Sequence, residues 1–138
     1  MRSNRELASA YLRDAEYSYE EALNAFNKGL YHRVIRRCQE AVELALKALL
    51  RYLGVEYPKS HDVSPLLYKI KDLLPDFIKD SLDFISHLSL ELSMERGPSF
   101  YGDENKALPP ARLYNKTYAE SKLHDTRKLL DIIQKAIE

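Results

Sequence analysis

The sequence predicts an all-α domain: an up-and-down bundle of four long helices with one additional short helix. Three observations carry that prediction. Apolar residues recur at steps of three and four along most of the chain, which is the helical period. Glycines and prolines cluster between the periodic runs rather than inside them. The link between the first two runs is only a residue or two long, which forces antiparallel neighbours.

Ser3-Asn-Arg-Glu6 reads as a capping box for the first helix. Ala8, Tyr11, Ala15, Tyr19, Ala22, Phe26 and Leu30 follow on one face, and Gly29 reads as a C′ stop. The next stretch, Tyr31 to Leu53, is the centre of the domain. Leu30, Val34, Cys38, Ala41, Ala45 and Ala48 form a stripe of mostly small residues. Ile35, Val42, Leu46, Leu49 and Leu53 form a larger stripe beside it. At ~100° per residue the two merge into an apolar arc of roughly 160°, so this helix must be covered on two sides. Arg36/Glu40 and Glu43/Lys47 are expected as i,i+4 pairs on its far face. Leu44 stands among those charges and is a candidate subunit contact.

Gly54 ends the central helix by the same C′ logic. Ser64 is the expected N-cap and Pro65 the first-turn residue of a short helix over 65–73. Pro75 restarts the chain into a longer helix over 75–94, with Ile78, Leu82, Ile85, Leu88 and Leu92 as its core stripe. From Glu95 to Lys116 the period is lost among two glycines and three prolines, so a long loop is expected. Thr117-Tyr-Ala-Glu120 reads as a capping box for the last helix. Its inner face is Ala119, Leu123, Thr126, Leu130, Ile133 and Ile137.

At 138 residues the chain is expected to be one domain, 1–138. Lys+Arg and Asp+Glu balance at 21 each, which argues against a generally basic nucleic-acid binder but leaves room for a local patch. The one cysteine, Cys38, lies on the core stripe, so no disulfide framework is expected and a reduced, cytoplasmic setting fits. No apolar run approaches the ~20 residues of a membrane span. The start MRSNREL has no apolar core, so no signal peptide is expected.

The polar candidates are few. No two of His32, His61, His87 and His124 stand three or four residues apart beside a carboxylate, as a metal site on one helix would show, and no metal or cofactor is expected. His61-Asp62 either ties its loop to the next helix or, with Lys59, faces a ligand at one end of the bundle. The cluster His32-Arg33-x-x-Arg36-Arg37 stands at the positive end of the central helix dipole. Its offset is either Glu20 and Glu21 across the hairpin or a phosphate. No phosphate-cradling glycine loop and no Ser-His-Asp order is present.

The amphipathic first helix, the tight turn, Gln39-Glu40-Ala41 through Ala45-Leu46-Lys47-Ala48-Leu49-Leu50, and the His61-Asp62 loop together resemble the HEPN domain family (higher eukaryotes and prokaryotes nucleotide-binding). The resemblance covers nearly the whole chain. It implies a bundle of four main helices and a short one, often a homodimer. It also implies a minimal nucleotidyltransferase partner in a two-component, toxin–antitoxin-like module, with a nucleotide or RNA as ligand. Some members are metal-independent RNases with an Arg-x(4–6)-His motif. No arginine here has a histidine five to seven positions downstream, so the non-RNase branch is implied and no catalytic residue is assigned. Non-RNase relatives often carry an Arg-Tyr pair after the fourth helix. Arg96 and Tyr101 stand there, separated by Gly-Pro-Ser-Phe. The expected ligand contacts are Lys59, His61, Arg96 and Tyr101, with Arg96 on phosphate and Tyr101 stacked on a base. Two alternatives remain: an RNase using His87 or His124 with Arg96 in a non-standard arrangement, or a pure dimerisation module.

Overall fold

A computed structural model describes the backbone of residues 2–137 and the side chains of residues 4–137. Helix α1 (Arg2–Asn27) and helix α2 (Tyr31–Tyr52) form the expected antiparallel hairpin. Gly29 turns the chain at φ +73°, and the Leu30 N–H reaches back to the Ala25 carbonyl at 3.0 Å while Gly29 N–H donates to Phe26. Gly54 repeats this at the far end of α2, with Val55 N–H on Leu50 O at 2.9 Å. Both are Schellman closures, which glycine permits because it carries no Cβ. The Ser3 side chain lies outside the described residues, so the first capping box does too.

Helix α2 is the hub: it contacts α1 and the helices that begin at Leu82, Arg96 and Lys116. Its two stripes are buried from Val34 to Leu50, and Ala8, Ala15 and Ala22 of α1 lie fully buried against them. Small residues on both helices let the two axes approach closely. Leu30 is the exception on the small stripe, exposed at the turn. Leu44 is half-buried and packs against the core. Glu43 and Lys47 do pair, at 2.8 Å. Arg36 does not pair with Glu40. Arg37 takes Glu40 instead, at 2.9 Å, because Arg36 is drawn to another element.

Helix α3 (Ser64–Lys69) is followed by a 3-10 turn, Lys71–Leu73, which together fill the predicted short helix. Its N-cap residue is Val63, which has no side-chain cap, and Asp62 just before it supplies the acceptor expected of Ser64. One Asp62 carboxylate oxygen accepts the Ser64 N–H at 3.0 Å and the hydroxyls of Ser64 and Ser89 at 2.6 and 2.7 Å. The predicted helix 75–94 is broken into α4 (Asp76–Lys79) and α5 (Leu82–Met94). At the break the Ser81 hydroxyl donates to the Phe77 carbonyl and the Ser81 N–H tightens onto Ile78 O. A serine side chain competing for the backbone in this way interrupts a helix. The core stripe survives the break: Ile78, Leu82, Ile85, Leu88 and Leu92 are all buried.

The segment expected as a long loop holds helix α6 (Arg96–Tyr101) and a 3-10 turn, Pro110–Arg112. Pro98 sits in the first turn of α6, where its missing N–H costs nothing. Gly102 ends α6 at φ +75°, and a Cβ there would collide with the Leu108 carbonyl oxygen. The chain then closes on itself through paired hydrogen bonds between Asp103 and Leu108. Helix α7 (Lys116–Ile137) starts slightly earlier than predicted. Asn115, not Thr117, caps it, its side-chain oxygen accepting the Tyr118 N–H at 2.8 Å. The domain is thus an all-α bundle, and among the described residues no helix is long and apolar enough to cross a membrane.

Candidate basic–aromatic site on α2 and α6

The first turns of α2 carry His32, Arg33, Arg36 and Arg37, and α6 lies across them. Arg36 makes that contact. Its Nη2 donates to the Ser99 carbonyl at 3.1 Å, and its guanidinium carbon lies 3.7 Å from the Phe100 ring centroid. The Arg96 guanidinium stands 5.6 Å from the same ring. Phe100 is therefore an anchor for two cations, an arrangement worth roughly 0.5–2 kcal/mol per contact depending on desolvation. Ser99, fully buried, locks the short helix through its N–H on Glu95 O and its hydroxyl on Arg96 O.

Tyr101 is left outside this lock. Its ring is 69% exposed, 6.0 Å from Phe100 and tilted by 36°. An exposed aromatic face beside unneutralised guanidinium groups is a stacking platform with a charge for phosphate next to it. The electrostatics agree in sign. Burial, then Arg36 and Arg33, push the His32 imidazole down from its ordinary value. Burial, then Arg33 and Arg37, also push Arg36 down, and its buried Nε has no hydrogen-bond partner among the described residues.

The four sequence-predicted contacts separate into two places. Arg96 and Tyr101 share α6 and join Arg36 and Phe100. His61 instead bonds Glu43 at 2.9 Å, seven residues further along α2 than Arg36, about 10 Å of helix. That Glu43 carboxylate also accepts Gln39 and Lys47 at 2.8 Å each. Asp62 is occupied with Ser64 and Ser89, so the His61-Asp62 loop is tied down at both residues. Lys59 is exposed on the same loop. Of the histidines named for the RNase alternative, His87 Nδ1 bonds the Asp83 carbonyl at 3.0 Å on α5, and His124 is exposed on α7. Cys38 is core, as its spacing indicated, and burial pushes its thiol up to about 12.

Sequence reasoning missed a second polar cluster. Glu91 and Glu95 at the end of α5 face Tyr114, Tyr118 and Lys122. Tyr114 donates to Glu95 at 3.0 Å, Tyr118 to Glu91 at 2.5 Å, and the buried Lys122 to Glu91 at 2.8 Å. The signal was available: two carboxylates four apart at the end of α5, and Tyr-Tyr-Lys at steps of four running into α7. This cluster clamps the end of α5 to α7 and so sets the start of α6.

The fold and the site define the class: an all-α bundle that carries cations and an exposed aromatic residue on its α2–α6 face. The particular family follows from comparison: the HEPN domain profile matches residues 8–137, and the chain belongs to the HEPN domain family. Among curated proteins none matches. Two solved structures are similar in fold over nearly their whole length. TT1696 from Thermus thermophilus is 26% identical with a TM-score of 0.77, covering 94% of this chain and 97% of that one. ST0689, an archaeal HEPN homologue, is 24% identical with a TM-score of 0.71, covering 95% and 98%.

Proposed function

We propose that this HEPN protein is a non-catalytic binder of a nucleotide or RNA, acting beside a minimal nucleotidyltransferase partner in a two-component, toxin–antitoxin-like module. The observation that carries the binding half is the α2–α6 face, where the exposed Tyr101 neighbours Phe100, the ring that Arg36 and Arg96 approach. The partner half rests on family membership alone. Arg96 pairs with phosphate and Tyr101 stacks on the base. Lys59 and His61, on the separate loop, contribute little to the same ligand. Tyr101→Ala should weaken binding of a fluorescent ATP analogue by roughly 5- to 100-fold, the range of one lost base stack. Arg96→Ala should do the same and flatten the salt dependence. Unchanged anisotropy titrations for both variants reject the reading, as does total absence of binding at millimolar ligand.

A second reading is favoured by one feature. Leu90 and Met94 are 51% and 69% exposed on successive turns of α5. Such a stripe suits a homodimer contact. Met94→Glu should then shift a dimer to monomer in sedimentation velocity, and a wild type that sediments as a monomer at high concentration removes this reading.

A further inference from the structure

The α1–α2 turn opens a cleft of about 420 Å³ between the end of α1 and the first turns of α2. Three cations line it, Lys28, Arg33 and Arg37, together with Asn24, one carboxylate, Glu21, and an apolar wall at Leu30. Arg37 is spoken for: its Nη1 reaches both Glu40 oxygens at 3.0 and 2.9 Å. Lys28 and Arg33 have no ion pair among the described residues, Glu21 included. Two unpaired cations facing one volume, with only Glu21 against them, leave it electropositive.

Size and position narrow the occupant. The cleft falls within the ~300–1,000 Å³ of small-ligand sites, far more than a bare phosphate needs, so it has room for phosphate with a sugar attached. Arg33 is three residues from Arg36 on α2, about 4.5 Å along the axis, so the cleft lies within one helical turn of the residue that holds Phe100. Lysine offers a point charge and arginine a fork, and both suit a phosphodiester running past them.

We propose that the Lys28–Arg33 cleft is a second phosphate subsite, within one turn of α2 from the α2–α6 face, and that the ligand is a single strand of linked nucleotides long enough to reach both rather than a free mononucleotide. This rests on the binding reading above and extends it. Fluorescein-labelled single-stranded RNA octamer, AMP and a polyglutamate peptide are titrated in turn against three proteins: wild type, Lys28→Gln/Arg33→Gln, and Arg96→Ala/Tyr101→Ala. Both cleft residues are exposed, so the double variant is expected to fold, which circular dichroism checks.

The octamer should bind the wild type at least tenfold more tightly than AMP. The cleft variant should lose roughly tenfold in octamer affinity while AMP binding holds. Its log K against log salt slope should become shallower by about 0.7–1.4, the release expected for one or two single-strand phosphates. Equal octamer and AMP affinities, an unchanged slope in the cleft variant, or polyglutamate binding as tightly as the octamer overturns the subsite. If Arg96→Ala/Tyr101→Ala leaves octamer binding intact while the cleft variant loses it, the α2–α6 reading falls and the cleft stands. If the reverse holds, the cleft falls alone.

Discussion

Leu46→Ala should cost the fold about 3–4 kcal/mol, within the ~2–5 kcal/mol range for a buried leucine cut to alanine. Leu46 is fully buried on α2, the helix that contacts α1, α5, α6 and α7. The transfer of the lost carbons accounts for part of the cost. The rest is the cavity, because a helix gripped from several directions cannot move into the gap without opening another. Urea unfolding followed by helical ellipticity should show the midpoint falling with the slope unchanged. At about 4 °C per kcal/mol for a domain of this size, Tm should drop by about 12–16 °C. A loss below about 1 kcal/mol would mean that Leu46 does not sit at the packed centre.

Lys122→Ala should cost about 2 kcal/mol, and Lys122→Met about half of that. Lys122 is 8% exposed, with Nζ 2.8 Å from Glu91 and 3.7 Å from Asp125. Breaking a fully buried pair costs about 3–5 kcal/mol. The Glu91 side chain is 40% exposed, so water replaces part of the lost donor and the figure is smaller. Methionine keeps the buried stem and loses only the charge, which separates packing from electrostatics.

The pH dependence of that pair has a definite sign. Burial alone would raise the Glu91 carboxyl, but the Lys122 and Tyr118 hydrogen bonds outweigh it and hold it below its ordinary value. A folded pKa below the unfolded one contributes stability above the unfolded value of about 4.3, and that stability is lost as pH falls through the folded value. Glu43 behaves alike: burial raises it, and Lys47, Gln39 and His61 together bring it lower. The gap between wild type and Lys122→Met should therefore be widest near pH 7 and shrink by about pH 3. A gap that stays constant between those pH values would show that the ion pair supplies none of it.

The legible parts of the chain were those where local spacing and burial coincide. The two glycine closures, the α2 stripes and the Ile78–Leu92 stripe follow from a period that any helix must obey to bury one face. Helix boundaries were less legible because several residue types compete to cap. Asn115 and Asp62 supply the capping oxygens expected of Thr117 and Ser64, all four being good acceptors. Helix α6 was illegible because six residues containing Gly97 and Pro98 carry no period. It is held by Arg36, which lies 63 residues away in sequence.

The candidate site divides the same way. Arg96 and Tyr101 could be chosen from their residue types and their place after a helix, and they do share one short element. Their grouping with Arg36 and Phe100, and the separation of Lys59 and His61 from them, could not be chosen in advance. What the sequence determined by itself was the all-helical bundle, the central helix and the residues that line its core, because burial at a fixed period is a local property of the chain. What the tertiary structure alone decided was which charges find carboxylates, which find aromatic rings and which are left open. Those outcomes depend on distances between side chains far apart in sequence, and only packing sets such distances.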